Sequence, residues 1–394
     1  MQTLLVSYSG LLGGAERILL DAATRLDRPV TLACPEGALA TQARAAGLTV
    51  VVFKERSLRL RGGPRIRAEA AAGLAGHVRE VGRVVRRTGP GVVVAWSLRP
   101  ALAMPVALAG LRRPPVLVVV HNDLLPPGVV GGAARRALAR AALVCVPSAA
   151  VAADLDPDGG LADRLRVVPP GTDLARFSAI ADLPPDVGPA PRVLTMGALV
   201  EWKRPDLALE AVAIARRHIP DLRLTLAGGP IQSGNQRAGG LGRFDGAAGY
   251  GSGSGLLERL RERAARPDLA GHAEILGRDV DAADQLAAAT CLLHTAPLEP
   301  FGMVVVEALA AGRPAVVPDA GGPAEIVTPG CGIRYAAGDP AAAAAALVDL
   351  LRTHGRAARL GAGGRKRAAT DYTADDWATR LAAVLDEATE GARP

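Results

Sequence analysis

The sequence predicts an α/β fold with parallel sheets, divided into two domains, and three observations carry that prediction. Short runs rich in Val and Leu recur along the chain, without the in–out alternation of a sheet that faces water on one side. Ala-rich stretches with helical spacing separate these runs. A proline- and glycine-rich segment, Asp182 to Pro191 (DLPPDVGPAP), interrupts the series near the middle and reads as a linker. At 394 residues the chain is long enough for two cores of ordinary size.

Taken in order, Thr3 to Tyr8 is predicted as the first strand and Ala15 to Leu26 as the first helix. The turn between them, SGLLGGAER, is rich in glycine, which lets a ligand approach the backbone at a helix start. It lacks G-x-G-x-x-G, so it carries no dinucleotide fingerprint. Val30 to Ala33, Thr49 to Phe53, Val92 to Trp96, Val116 to His121 and Leu143 to Pro147 continue the sheet. Leu74, Val78, Val81 and Val85 form the apolar stripe of a helix that ends on Arg83, Arg86 and Arg87.

The second half begins with a strand over Arg192 to Gly197, then a helix over Asp206 to Arg217. Leu222 to Ala227 and Ala273 to Leu276 are its next strands. Between these two lies a glycine-rich insertion, Gly229 to Gly255. Its GYGSGSG is followed by no Lys-Ser/Thr, so it reads as a loop, with Arg237 and Arg243 free to swing toward a ligand. Thr373 to Thr389 is an amphipathic helix with Trp377, Leu381 and Leu385 on one side.

Composition sets the outer limits. Hydrophobic residues make up 49% and charged residues 22%, which is globular. No apolar run approaches the roughly 20 residues that span a bilayer, and the start lacks a basic n-region, so no signal peptide is expected. Cys34, Cys145, Cys291 and Cys331 are widely spaced, which suits buried reduced thiols in a cytoplasmic protein rather than a zinc site or disulfide frame. Charge is lopsided. Residues 1–180 hold 23 Lys/Arg against 13 Asp/Glu, a net of +10, and the rest holds 23 against 26, a net of −3. Lys54, Arg56, Arg59, Arg61, Arg65 and Arg67 crowd one segment, with only Glu55 opposing them. Such a run attracts anionic lipid or an anionic acceptor, giving peripheral contact with the inner face of a membrane, or is simply a solvated face. Aromatics are only 3%, too few to stack on bases, so nucleic acid is not an expected partner.

The most informative run is EPFGMVVVEALAAGRP, which begins at Glu299 and contains Glu307. Pro300, Phe301 and Gly302 read as a turn, and Met303 to Ala311 as a helix that stops at Gly312 and Pro314. Strand-like Thr290 to His294 precedes it; Pro314 to Pro318 and then Gly321-Gly322 follow. That is a strand–turn–helix–strand unit of a parallel sheet, with both glutamates near the ligand-binding edge. A helix start is a seat for phosphate. A carboxylate beside it would repel the phosphate itself and so serves hydroxyls instead. Hydroxyls plus phosphate indicate a nucleotide-sugar.

The segment LLHTAPLEPFGMVVVEALAAGRPAVVPDAGGPAEIV resembles the signature of retaining glycosyltransferases of the family-4 type, the group 1 glycosyl transferases. Further stretches stand in that family's order: Gly13-Gly14-Ala15-Glu16-Arg17, His121, Val168 to Asp173, and Met196 to Lys203. The resemblance implies the GT-B fold, two Rossmann-like domains with parallel sheets facing a central cleft. It places an acceptor domain at residues 1–181, a linker at 182–191 and a donor domain at 192–372, with helix 373–390 returning to the first. It implies no metal or other cofactor, and a nucleotide-diphosphate sugar as co-substrate, UDP-sugar ahead of GDP-sugar. The acceptor is a small molecule, a lipid-linked sugar or a polysaccharide.

The resemblance also assigns roles. Glu299 contacts donor-sugar hydroxyls, with the backbone of Phe301, Gly302, Met303 and Val304 beside it. Glu307 meets the ribose, Lys203 the diphosphate, and Gly13 and Gly14 the donor's phosphate end. His121 stabilises charge near the anomeric centre, in a front-face displacement. One departure stands out: the family's G-R-L arginine is Ala198 here, and Arg204 and Arg278 are candidates to replace that cation. Three rival readings remain. Asp154-Leu155-Asp156 matches the D-x-D of metal-dependent glycosyltransferases, but it lies in a Pro/Gly turn. A nucleotide-sugar epimerase would share the fold and need no acceptor, and a degenerate subunit would bind donor without turning it over.

Overall fold

The computed structural model describes residues 1–55, 64–125, 127–229, 254–278 and 280–392. Most of the basic run, including Arg56, Arg59 and Arg61, lies outside the described residues, as does the glycine-rich insertion with Arg237 and Arg243. Two compact units result: one holds Met1–Thr172 together with the chain from Ala374 onward, and the other runs from Asp173 to Thr373.

The first unit is built on β1 (Thr3–Ser7), β2 (Val30–Cys34), β3 (Thr49–Val52), β4 (Val92–Trp96), β5 (Val116–Val120), β6 (Leu143–Val146) and β7 (Leu165–Val167). All seven pair in parallel, in the order β3-β2-β1-β4-β5-β6-β7. β1 and β4 are buried along their whole length, as strands covered on both faces must be. β7, a three-residue edge strand with little burial, was not read from the sequence. The last helix, Ala374–Glu390, packs on helix Gly14–Ala23 of the same unit. Its Trp377 is buried, donates its indole N–H to the Ile18 carbonyl at 3.1 Å, and meets the Trp96 ring edge-on at 6.3 Å. Leu381 and Leu385, the stripe read from the sequence, are fully buried.

The second unit contains β8 (Arg192–Met196), β9 (Arg223–Ala227), β10 (Ala273–Ile275), β11 (Cys291–Leu293), β12 (Ala315–Pro318) and β13 (Gly332–Tyr335). These are also parallel, in the order β10-β9-β8-β11-β12-β13. β13, at the edge of this second sheet, was not read from the sequence either. The division between units falls at Thr172/Asp173, ahead of the proline-rich 182–191 segment. Residues before that segment already belong to the second core. Phe177 is buried there, Arg176 pairs with Asp281, and Arg365 donates to the Ile180 carbonyl at 2.7 Å.

All four cysteines are buried and free. Burial pushes the Cys34, Cys145 and Cys291 thiols up to about 12. The D-x-D carboxylates are used locally: Asp154 accepts the Leu125 N–H at 2.7 Å and Asp156 the Leu161 N–H at 2.8 Å. Among the described residues, no helix is long and apolar enough to cross a membrane.

Candidate active site

In the second sheet β8 and β11 are neighbours, yet the chain leaves β8 toward β9 on one side and β11 toward β12 on the other. That reversal opens a crevice at the strands' carboxyl ends. Gly197, Ala198, Lys203, His294 and Thr295 line it. Gly197 has φ 140°, and a side chain there would begin 3.4 Å from Lys203 Nζ, so glycine leaves the space that the lysine fills. Lys203 ends a short turn, Glu201–Lys203, whose carbonyl accepts the Thr295 hydroxyl at 2.7 Å. Its ammonium lies 5.0 Å from the Trp202 ring centroid and 3.1 Å from Glu299 Oε2.

Glu299 sits in the turn between β11 and helix Met303–Ala310. The helix that follows β12, Gly321–Ile326, fixes this turn by coming very close to it. The Gly322 N–H donates to the Glu299 carbonyl at 2.9 Å, and a Cβ on Gly322 would lie 2.4 Å from Phe301 Cα. Only 14% of the Glu299 side chain is exposed, and His294 Nε2 stands 3.5 Å from the same Oε2 that faces Lys203. Burial pushes the Glu299 carboxyl up, but the Lys203 ammonium and the His294 ring outweigh it and hold the group down at about 2. The site therefore presents a largely buried, fully ionised carboxylate with two nitrogen partners.

Helix Met303–Ala310 starts at Gly302, whose φ of 104° suits glycine, and no side chain caps it. Val305 and Val306 donate back to the Gly302 carbonyl, while the Met303 and Val304 N–H groups meet no backbone acceptor among the described residues. These two donors point the positive end of the helix outward, as an anion site does. Met303, Val304 and Glu307 are half-buried on one helix face, and Val305, Val306 and Ala308–Ala310 are buried on the other. Phe301 is different: its ring is in the core, edge-on to Tyr372 at 5.9 Å, so only its backbone is available to a ligand.

The structure brings together Lys203, Glu299 and the start of the Met303 helix, and adds His294, to which the sequence reading gave no role. The signal was present, since His294 closes an apolar strand at the ligand edge just as His121 does. Arg204 is committed elsewhere. It holds a left-handed backbone, φ 53°, and its guanidinium donates to both Asp206 oxygens at 2.9 to 3.1 Å. Ala198 lines the crevice and supplies no charge.

The first unit has the same kind of reversal between β1 and β4, and a cavity of about 310 Å³ lies at that edge. Tyr8, Ser9, Gly14, Ser97, His121 and Asn122 are in its wall. His121 is 1% exposed and neither ring nitrogen makes a well-formed hydrogen bond. Burial pulls its imidazole down to about 4, against smaller opposing effects of the Asp154 carboxylate and the Asp123 backbone. It is therefore neutral at ordinary pH. The Gly13 amide is turned inward onto Glu16 Oε2 at 3.1 Å, whereas Gly14 has open space where a side chain would be. Ser97, also unremarked in the sequence, has φ 84°; its hydroxyl does not cap the helix Leu98–Leu108 that it precedes.

Residues 12–176 match the family model for Glycosyltransferase Family 4, and residues 185–367 match the model for Glycosyl transferases group 1. The chain belongs to the family-4 glycosyltransferases. Within that family it is similar to a D-inositol 3-phosphate glycosyltransferase of Streptomyces scabiei, 31% identical over 238 residues, covering 57% of this chain and 48% of that protein. The chain thus spans about half the length of such curated relatives. A GDP-mannose-dependent alpha-(1-6)-phosphatidylinositol monomannoside mannosyltransferase of Mycolicibacterium smegmatis is 29% identical, covering 78% of this chain and 72% of that protein. Among solved structures, Anabaena HepE in complex with UDP superimposes with a TM-score of 0.77 at 22% identity, covering 98% of this chain and 100% of that one. The shared fold is GT-B, two Rossmann-like domains each with a parallel sheet.

Proposed function

We propose that this protein transfers a sugar from a nucleotide-diphosphate sugar to an acceptor hydroxyl with retention of anomeric configuration and without a divalent metal. The observation that carries the reading is the ionised, largely buried Glu299, held 3.1 Å from Lys203 beside the open start of helix Met303–Ala310. A carboxylate of this kind accepts hydrogen bonds from sugar hydroxyls. The Met303 and Val304 N–H groups and Lys203 meet the negative charge of the departing diphosphate. Glu307, on the same helix face as Met303 and Val304, is assigned to the ribose. Gly14 is assigned to the donor's phosphate end, and neutral His121 to an uncharged hydrogen bond with the sugar. A UDP-sugar is the favoured donor, supported by the HepE structures with UDP and with UDP-glucose.

The acceptor is proposed to carry an anionic group or to sit at a membrane surface. The net +10 of residues 1–180 supports this, as do relatives named for inositol phosphate and phosphatidylinositol mannoside. A cytoplasmic location fits both.

One observation favours a second reading. Ala198 removes a cation from the site and Arg204 is bound to Asp206, which is what a donor-binding subunit without turnover would show. Incubating the protein with UDP-glucose and GDP-mannose, with and without acceptor mixtures, separates these readings by NMR. An α-linked product from the α-linked donor supports retaining transfer. A β-linked product refutes retention, a new nucleotide-sugar formed without acceptor indicates an epimerase, and binding with no conversion indicates the subunit.

A further inference from the structure

Lys203 and His294 approach the same oxygen of Glu299 from different elements, and they differ in freedom. Lys203 stands on a flexible stem with a quarter of its side chain exposed. His294 is 5% exposed and fixed at both backbone ends: its N–H donates to the Val316 carbonyl at 2.8 Å, and its carbonyl accepts the buried Tyr335 hydroxyl at 2.9 Å. The mobile cation is also the one the proposed reaction needs for phosphate. A diphosphate carries more charge than a carboxylate and draws the ammonium toward itself. If Lys203 were the sole partner, that move would strip a largely buried carboxylate of its compensation, which strongly disfavours the bound state.

We propose that His294 is a positioning residue that retains Glu299 when a donor's diphosphate takes Lys203, so that one carboxylate couples phosphate recognition to sugar recognition. The inference rests on the reading of the second unit as the donor site. With His294 Nε2 still against Oε2, the other oxygen of Glu299 stays available to the sugar hydroxyls. Donor phosphate and donor sugar are then read in sequence by the same three residues.

Calorimetric titration of UDP and UDP-glucose into the wild type, His294→Phe, His294→Asn and His294→Gln tests this. In the wild type the glucose moiety is expected to tighten binding relative to UDP. His294→Phe, and the shorter His294→Asn, should weaken UDP by several-fold, since its diphosphate also draws Lys203 away. They should in addition lose on the order of tenfold of the advantage that glucose adds, the effect of one charge-assisted contact. His294→Gln, long enough to reach Glu299, should recover part of it. Equal losses for UDP and UDP-glucose, or no loss for either, would overturn the proposal, since a merely structural histidine moves both together. A wild type that gains nothing from glucose would overturn it too. Failure of the wild type to bind UDP, UDP-glucose, GDP or GDP-mannose at all would instead remove the donor reading on which it rests. Cooperative thermal melts with midpoints within a few degrees of wild type show that the variants are folded.

Discussion

The two units answer the same topological situation with different chemistry. Each has a reversal of strand order, with the crevice at its sheet's carboxyl edge, between β1 and β4 in one and between β8 and β11 in the other. In the second unit the edge is tight and charged: Glu299 is ionised, with Lys203 and His294 against one oxygen. In the first the edge is open and His121 is neutral, pulled down by burial rather than raised by a partner. A tight edge built on one preorganised carboxylate suits a ligand with fixed charge. An open cavity, whose wall carries Glu16, Arg99 and Asp123 around the neutral His121, suits exchangeable hydroxyl-bearing molecules. The fold supplies two equivalent crevices; the side chains at the strand ends make them different.

The comparison is broken most sharply by removing charge from the second unit. Glu299→Gln or Lys203→Ala should lower turnover of a nucleotide-sugar by about 10²–10³-fold, and Lys203→Ala should also lower the melting temperature because it leaves a largely buried carboxylate without its ammonium. Steady-state kinetics with UDP-glucose or GDP-mannose checks this, and variants within about threefold of wild type would erase the distinction between the edges.

Acid separates the units next. The folded His121 value of about 4 lies below the ordinary 6.5, so the unfolded chain takes up the proton first as pH falls. Stability is therefore fully present above 6.5 and declines between 6.5 and about 4, by on the order of 3 kcal/mol. Glu299 is also depressed, from 4.5 to about 2, so its contribution is present above 4.5 and lost only as pH falls through about 2. Denaturant melts from pH 7 to 4 should show the first loss in the wild type and much less of it in His121→Phe.

Smaller effects come from the backbone. Gly322→Ala puts a methyl 2.4 Å from Phe301 Cα and should destabilise by about 1–3 kcal/mol, loosening the Glu299 turn and weakening donor binding. Ser97→Gly, at φ 84° in the first unit's cavity wall, should raise stability by about 1 kcal/mol by relieving strain. Ser97→Ala keeps the strain and should not.

Much of this was legible in the sequence because it rests on local patterns. Short apolar runs marked eleven of the thirteen described strands, and the turn and helix after Glu299 follow from Gly302, Gly312 and Pro314. The short edge strands β7 and β13 gave no such signal. Nor did the chain reveal that Phe177 joins the second core ahead of the prolines, since that depends on packing with residues more than a hundred positions away. The role of His294 was hidden for a similar reason: its partner Glu299 comes within reach only because Gly321 and Gly322 let another helix press on the intervening turn. Arg204 looked like a spare cation until Asp206, two residues on, was seen to hold it.

Hydrogen–deuterium exchange with and without saturating UDP-glucose addresses the central claim most directly, because it locates a ligand without assuming a reaction. Protection should concentrate at the amides of Met303 and Val304 and in the segment from Gly197 to Pro205. Protection confined to other parts of the chain, with the start of the Met303 helix unchanged, would contradict the assignment of this edge as the donor site.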